Sequence, residues 1–596
     1  MSSGVELAVY ETFEEIFRRK SSLDELETEI KQFSLSSLLW VCATVVTGAQ
    51  LWDRNDPPLD VYADLLKLFF PPRLVARFQI GFWSRNPRRE VFHRRQVLLI
   101  AKLGILHCTE TGIDLRRSSE HFGSILLKAN DQFHHGLLPG PGEKIPDKEK
   151  FVRTMADIVA VTEYGKPNIG HALARNHLLL THYVGQLKAD ADYIDVAQEF
   201  EAAVGFSIEE NTSMLFGLHA RFGRGLVKTM RTDPGALAFN VQTFFQTSIP
   251  TSKRLKFLST VSATPAMMKR NLLRQDYGSN DFTIFRKFPA IEQWYNAHLK
   301  SFWIGYLLMD NHMLIEKQVG GPYWRALAKH GQRFVRFWGK IFEKYVDDLL
   351  ANSCAGTPAR FVPDVRDPKE PNRQICDGLV IDGELLAIIE TKAPIFTADA
   401  KYSGNCTVLA EEIDSKMIRD RDTGKKKAAI QLADAATTLT ADPGVLQSVG
   451  IDLSRISKIY PLVVTLDSIG GTVGISAYLN LAFQEALTVA PAYQRKIQPL
   501  GCVDIEGLEY MTEHFQAASL PTLLERWHEF NPALFVPFVA TPLDGIVMKL
   551  NPWLKRELDD RFKSAIRILF PDRDPEQALK ETEQIARRME ASGFGS

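Results

Sequence analysis

The chain is 596 residues long, enough for several domains, and its 45% hydrophobic and 24% charged content is that of an ordinary soluble globular protein. A formal net charge of −1 excludes binding of nucleic acid through the field of the whole molecule, so any such binding has to use a local basic surface. The cysteines, Cys42, Cys108, Cys354, Cys376, Cys406 and Cys502, form no Cys-x-x-Cys pair, which speaks against structural zinc and a disulfide framework and for a reducing cytoplasm.

The N-terminal stretch is charged and helix-like, so no secretory signal is expected. Residues Gln32 to Trp52 carry no charge but include Ser34, Ser36, Ser37, Thr44, Thr47, Gly48 and Gln50, which predicts a buried core helix and not a membrane span. From Val5 to about Gly320 helical patterns dominate, punctuated at Asp56-Pro57-Pro58, Pro71-Pro72, Pro139-Gly140-Pro141-Gly142 and Asp233-Pro234-Gly235. Residues 1–320 are therefore expected to form a mainly α-helical regulatory or recognition region. Arg85, Arg88, Arg89, Arg94 and Arg95 interleave with Trp83 and Phe92, a pattern open to a phosphate-contact surface or, more commonly, to solvated helix faces. His171, His177 and His182 are not spaced as an i, i+4 pair, so no metal site is expected there. No Gly-x-x-x-x-Gly-Lys-Ser/Thr loop occurs, so an ATPase or sensor subunit would have to come as a partner protein.

Phe334, Trp338, Ile341, Tyr345 and Leu349 recur at helical spacing and predict an amphipathic helix with Glu343 at the edge of its apolar stripe. Periodicity alone serves equally for a solvated glutamate there. Two apolar runs flank Asp382-Gly383, the signal of a hairpin with a two-residue type I′ turn. That turn sets Ile381 opposite Glu384 and Asp377 opposite Ile388, so strand alternation puts Asp377, Glu390 and Lys392 on one side of the sheet. Asp377 and Glu390 become diagonal neighbours at roughly 7 Å, close enough to share a hard cation. Asp364, in Pro363-Asp364, is the alternative first acid, although the surrounding prolines read as loop. The insertion Thr397 to Lys426 ends in a basic run, Lys416, Arg419, Arg421, Lys425, Lys426 and Lys427, against Asp420 and Asp422. Such a run beside an acidic site suits a phosphodiester backbone, and a solvated loop is its bland alternative. Lys427 to Leu439 predicts a helix with Gln431 near its start, and Ile459 to Leu466 a buried strand. Beyond it, Leu520 to Phe530, Asn551 to Leu569 and Asp574 to Met589 predict a helical C-terminal region over 501–596.

Helix, hairpin, helix and strand in this order, with Asp377 on one strand and Glu390-Thr391-Lys392 on the next, resemble the PD-(D/E)XK nuclease superfamily over residues 321–479. The resemblance implies a restriction-endonuclease-like α/β core at 321–500 and hydrolysis of phosphodiester bonds, most often of DNA. It implies Mg²⁺ or Mn²⁺ held by Asp377, Glu390 and the Thr391 carbonyl, with Glu343 completing the shell or holding a second ion. Lys392 would orient or deprotonate water or stabilise the transition state, and Gln431 would contact substrate backbone or water. A large chain around such a core, with no motif for reading sequence, further resembles an antiphage defence effector held in check by its helical regions, with self-association as one means. A restriction or repair nuclease, and a catalytically silent nucleic-acid-binding or scaffold module, are the other readings.

Overall fold

The structure, a computed structural model, describes residues 8–51, 59–83, 88–115, 119–133, 152, 154–156, 158–159, 169–221, 238–241, 247–296, 302–515, 517–532, 534, 536–541 and 551–589. The turns expected at 56–58, 139–142 and 233–235 and the tail 591–596 lie outside them. The chain divides into two compact units, one of Met1–Val5, His135–Asp195 and Ala326–Leu558, the other of Glu6–His134, Val196–Arg325 and Asp559–Ser596.

The first unit is built on a five-stranded mixed sheet. Its strands are β1 (Arg360–Arg366), β2 (Gln374–Asp382), β3 (Leu385–Lys392), β4 (Lys458–Thr465) and β5 (Gly501–Asp504), in the spatial order β5-β4-β3-β2-β1. β1, β2 and β3 pair antiparallel, and β3, β4 and β5 pair parallel. β4 is an interior strand, flanked by β5 and β3, and is buried from Ile459 onward, which is why it reads as an unbroken apolar run. Pro461 is tolerated there because the β4–β5 ladder begins only at Leu462, so its missing N–H deprives no β5 carbonyl.

The hairpin differs from its expected register. Ile381 pairs with Leu386 and Asp382 with Leu385, so the loop is Gly383-Glu384 and not Asp382-Gly383. Gly383 takes φ 58 while Glu384 has none of the positive φ values, the pattern of a type II′ turn with glycine first. Asp382 stays in the strand, where its carboxylate accepts a hydrogen bond from Ser519 Oγ at 2.7 Å. The correction is a slip of two residues, which preserves the side of the sheet each side chain faces.

Helix α1 (Ile169–His177) and the 23-residue helix α2 (Gln332–Cys354) belong to this unit. α2 buries Phe334, Phe337, Trp338, Ile341, Phe342, Tyr345, Leu349 and Leu350 along one stripe. Helices α3 (Ala398–Tyr402) and α4 (Cys406–Ile413) lead to α5 (Ala428–Ala441), which lies across β2 and β3. α5 presents Ala429, Ala433 and Ala436 between Leu432 and Leu439, and the small residues let it close onto Leu379, Leu386 and Ile388. Helices α6 (Ile475–Ala486), α7 (Ile505–Thr512) and α8 (Leu520–Phe530) complete the cover.

The other unit is helical with two small sheets. One is a parallel ladder of Ala8–Tyr10 with Arg88–Glu90; the other is four-stranded, ordered Ala238–Phe239, Phe302–Leu308, Ala290–Asn296, Ser262–Ala263. The hairpin at 290–308 falls where helical patterns alone are expected; its aromatic and β-branched side chains suit a pleated, half-buried surface. Helix Leu35–Leu51 lies in the core, with Leu38, Leu39, Cys42, Val45 and Val46 buried. No helix among the described residues is long and apolar enough to cross a membrane. The arginine-aromatic stretch is not an open phosphate surface: Phe92 is fully buried and Arg94 forms a buried 2.9 Å ion pair with Asp310. Arg95 is buried as well and bonds Asn280, and Arg89 pairs with Glu11 and Glu15. Arg85 and the side chains of Trp83 and Arg88 lie outside the described residues.

Candidate active site

The end of the β2–β3 hairpin brings together most of the expected chemistry. Carrying the ladder one step beyond Gly378 and Ile389 sets Asp377 opposite Glu390, closer than the diagonal relation expected. Asp377 is held by three donors. Its Oδ2 accepts from the Thr391 N–H at 2.6 Å and the Thr391 hydroxyl at 2.8 Å, and its Oδ1 accepts from Gln374 Nε2 at 3.2 Å. Thr391 thus fixes an acid, whatever its carbonyl also does.

Glu390 is 4% exposed and accepts a hydrogen bond from Lys392 Nζ. Burial, opposed by Lys392 but assisted by the charges of Asp377 and Glu343, pushes the Glu390 carboxyl up to about 7. For Lys392, burial favours the neutral amine, yet Glu390, Asp377 and Glu343 outweigh it and raise its pKa above the ordinary lysine value. Lys392 is therefore the firmly charged member of the pair.

Helix α2 adds two acids from the side. Glu343 is half-buried, and its carboxyl is raised first by burial and then by the charges of Asp377 and Asp364, which puts it within electrostatic reach of the cluster. Asp347, one turn further along, is pushed up to about 7 by burial and by Glu343, Asp377 and Asp348, against Lys344. Both line a cavity of about 570 Å³, together with Asp364 and Gln374, the latter in contact with Asp377. Asp347 and Gln374 escape the sequence reading, although Asp347 follows Glu343 at i+4 and could have been found by that spacing.

Asp364 is not in a loop: it lies within β1, next to a register shift between Val365 and Arg366, and takes the left-handed φ of 47 that Asp tolerates better than most residues. Its side chain is exposed and pairs with Arg366 at 2.8 Å. Gln431 sits in the first turn of α5, half-buried, and its side chain makes no hydrogen bond to the acids or Lys392.

The basic run is ordered and largely self-neutralised. Lys416 donates to the Ile395 carbonyl at 2.6 Å and to Glu412, and its ammonium lies over the Phe396 ring. Arg421 pairs with Glu411, Lys426 with Asp434 and Lys427 with Asp420, while Arg419 donates to the Gly424 carbonyl. Among the described residues, Arg419 and Lys425 are the two of the six that are exposed without an ion pair. The expected free basic loop is thus a compact turn; its surface pairs are weak enough, at about 0–1 kcal/mol each, to exchange for phosphate.

Among the described residues no group of three or more His, Cys, Asp or Glu side chains stands in position to hold a metal ion. The donor set nevertheless suits a hard divalent cation. Glu343, Asp347, Asp377 and Glu390 act on one another as like charges, with Lys392 as the buried counter-charge, and all donors are carboxylate oxygens. No family model, curated protein or solved structure matches the chain.

Proposed function

We propose that this chain is a metal-dependent nuclease that hydrolyses DNA phosphodiester bonds on a restriction-endonuclease-like core, with Asp377, Glu390 and Lys392 at its centre. The observation that carries the reading is the gathering of one buried carboxylate, Glu390, and three half-buried ones, Asp377, Glu343 and Asp347, around one charged lysine at a hairpin end. Surface ion pairs are ordinary; several acids raised together by burial and by each other are the mark of a site built to be neutralised from outside.

Asp377, Glu390 and Glu343 would hold Mg²⁺ or Mn²⁺, with the Thr391 carbonyl as a further ligand. The cation supplies an acidified water and neutralises charge on the scissile phosphate. Thr391 and Gln374 keep the Asp377 carboxylate in one orientation, which removes a reorganisation cost from the reaction. Lys392 is placed to exchange Glu390 for the attacking water or for the phosphate oxygen that gains charge. Gln431 and the basic turn at 416–427 belong to the substrate side of this reading.

The test is cleavage of plasmid and linear DNA by the full chain. Activity is expected with Mg²⁺ or Mn²⁺, to stop with EDTA, and to fall by at least about a hundredfold in Lys392→Ala, the range for losing one charge stabiliser. DNA binding by the variant should persist. Equal cleavage by wild type and Lys392→Ala would refute the assignment. We place the activity in antiphage defence, with the helical regions and a sensor or ATPase partner as the restraint. Loss of protection in plaque assays with Lys392→Ala is the expected result, and undiminished protection would remove the defence reading.

A further inference from the structure

The second unit holds a cavity of about 540 Å³, within the roughly 300–1,000 Å³ usual for small-molecule sites. Four cations line it, Lys256, Lys287, Lys317 and Arg325, and no Asp or Glu does. They come from three helices: Lys256 from Thr251–Val261, Lys287 from the end of Thr283–Lys287, and Lys317 and Arg325 from Asn311–His330. Among the described residues no acid lines the cavity against these like charges, in a molecule whose net charge is only −1.

We propose that this cavity binds the phosphate groups of a small phosphorylated organic molecule of nucleotide size.

Lys317 is the central observation. It is half-buried, and among the described residues neither it nor Arg325 has a hydrogen-bonding or ion-pair partner. Burial, with Arg325 and Lys287 adding repulsion, pushes the Lys317 ammonium down to about 8. A half-buried cation facing other cations is unfavourable unless something negative shares the space. Lys317 and Arg325 lie about 12 Å apart along their helix axis, a separation that their long side chains can close onto one group of two or three linked phosphates. Lys256 reaches the cavity over Gly205, where the backbone is left-handed at φ 82 and a Cβ would come within 2.5 Å of the ammonium. Glycine there both ends helix Val196–Val204 and leaves the lysine room.

The lining is not all charged. Ala202, Val204 and the buried Phe288 offer an organic portion apolar contact beside Ser259 and Thr260, which free phosphate would leave unused. A continuous nucleic-acid backbone asks for charge spread along an extended groove, whereas these cations converge on one compact volume. The compact, multiply charged head and apolar body point to a nucleotide-like polyphosphate.

The experiment is isothermal titration of the full chain with pyrophosphate, ATP and a short single-stranded oligonucleotide, in EDTA so that no cation draws phosphate to the acidic site. Pyrophosphate and ATP are expected to bind. Lys317→Met and Arg325→Gln should each weaken that binding by about tenfold or more, the effect of losing a charge-assisted hydrogen bond. Arg270→Gln, an equal charge loss on the exposed helix Pro265–Leu272, and Lys392→Ala should leave it unchanged. Lys317→Met is expected to melt no lower than wild type, since it removes an unpaired charge. If that variant fails to fold, the exposed Arg325→Gln decides the matter. Absence of binding by both pyrophosphate and ATP, or unchanged affinity in the cavity variants, would overturn the proposal. Binding of the oligonucleotide alone would overturn it too.

Discussion

Asp377 and Asp364 are both acids on neighbouring strands, and the structure separates them by what holds each one. Three donors fix Asp377, while Asp364 is exposed and paired with a surface arginine. Asp377→Asn is therefore expected to lower Mn²⁺-supported cleavage by at least about a hundredfold, and Asp364→Asn by only a few-fold. The reverse ranking in a Mn²⁺ titration would reassign the first acid. A second residue, Glu513, sits outside this site beside His171 at 3.2 Å. Burial, with the charge of Glu509, pushes Glu513 up to about 7, whereas burial pushes His171 down to about 4. A carboxyl raised on folding contributes stability that is complete below its unfolded value and is lost as pH rises through about 7. Asp504 and Asp347, both also pushed to about 7, act in the same direction. His171 and His528, lowered to about 4, oppose this only between about 4 and their ordinary value of about 6.5. Melting temperature should therefore fall between pH 6.5 and 8. Glu513→Gln should flatten that fall, raising stability at pH 8 by on the order of 1 kcal/mol or more and changing it little below pH 4.5.

At the scale of elements, the hairpin positions two acids from opposite strands by its turn alone. Gly383 has open space where a Cβ would go, so its constraint is the backbone, at φ 58. Gly383→Ala is expected to cost about 1–2 kcal/mol by strain in the left-handed region, read as a lower denaturation midpoint, with cleavage by the folded fraction unchanged. Full stability of the variant would mean that the loop does not need that conformation. Helix α2 positions the other two acids. Its Tyr345, between Glu343 and Asp347 in sequence, bonds Glu509 on α7, and the same carboxylate takes Arg175 of α1 at 2.7 Å. The acids on one face of α2 are thus registered by a buried polar network on another.

That network decides how the molecule can be cut. The unit with the acidic site draws α1 from far upstream, so residues 326–558 alone would leave Glu509 buried without Arg175. Breaking a buried pair costs about 3–5 kcal/mol, a large share of a domain's stability. Residues 326–558 by themselves are expected to be unfolded or aggregated by circular dichroism and gel filtration. A cooperative melt of that fragment would show that α1 is dispensable. A truncation meant to release the proposed activity therefore cannot simply remove residues 1–300, because it would take α1 as well.

Much of the acidic site was legible in the chain because it is local. Strand alternation puts Asp377, Glu390 and Lys392 at one hairpin end in either register, since a slip of two residues keeps every side chain on its face. The long apolar runs of α2 and β4 are similarly periodic and need no partner to be recognised. What the sequence could not specify is everything that depends on approach between distant segments. The turn residues, the donors on Asp377, the pairing that occupies the basic run and the cation-lined cavity all arise where side chains far apart in the chain meet. Short-range pattern carries no information about such meetings. Desolvation belongs to the same class: Glu343 reads equally as a solvent residue or a site residue until packing half-buries it within reach of the Asp377 charge and raises its carboxyl, and that partial burial is a property of the tertiary structure alone.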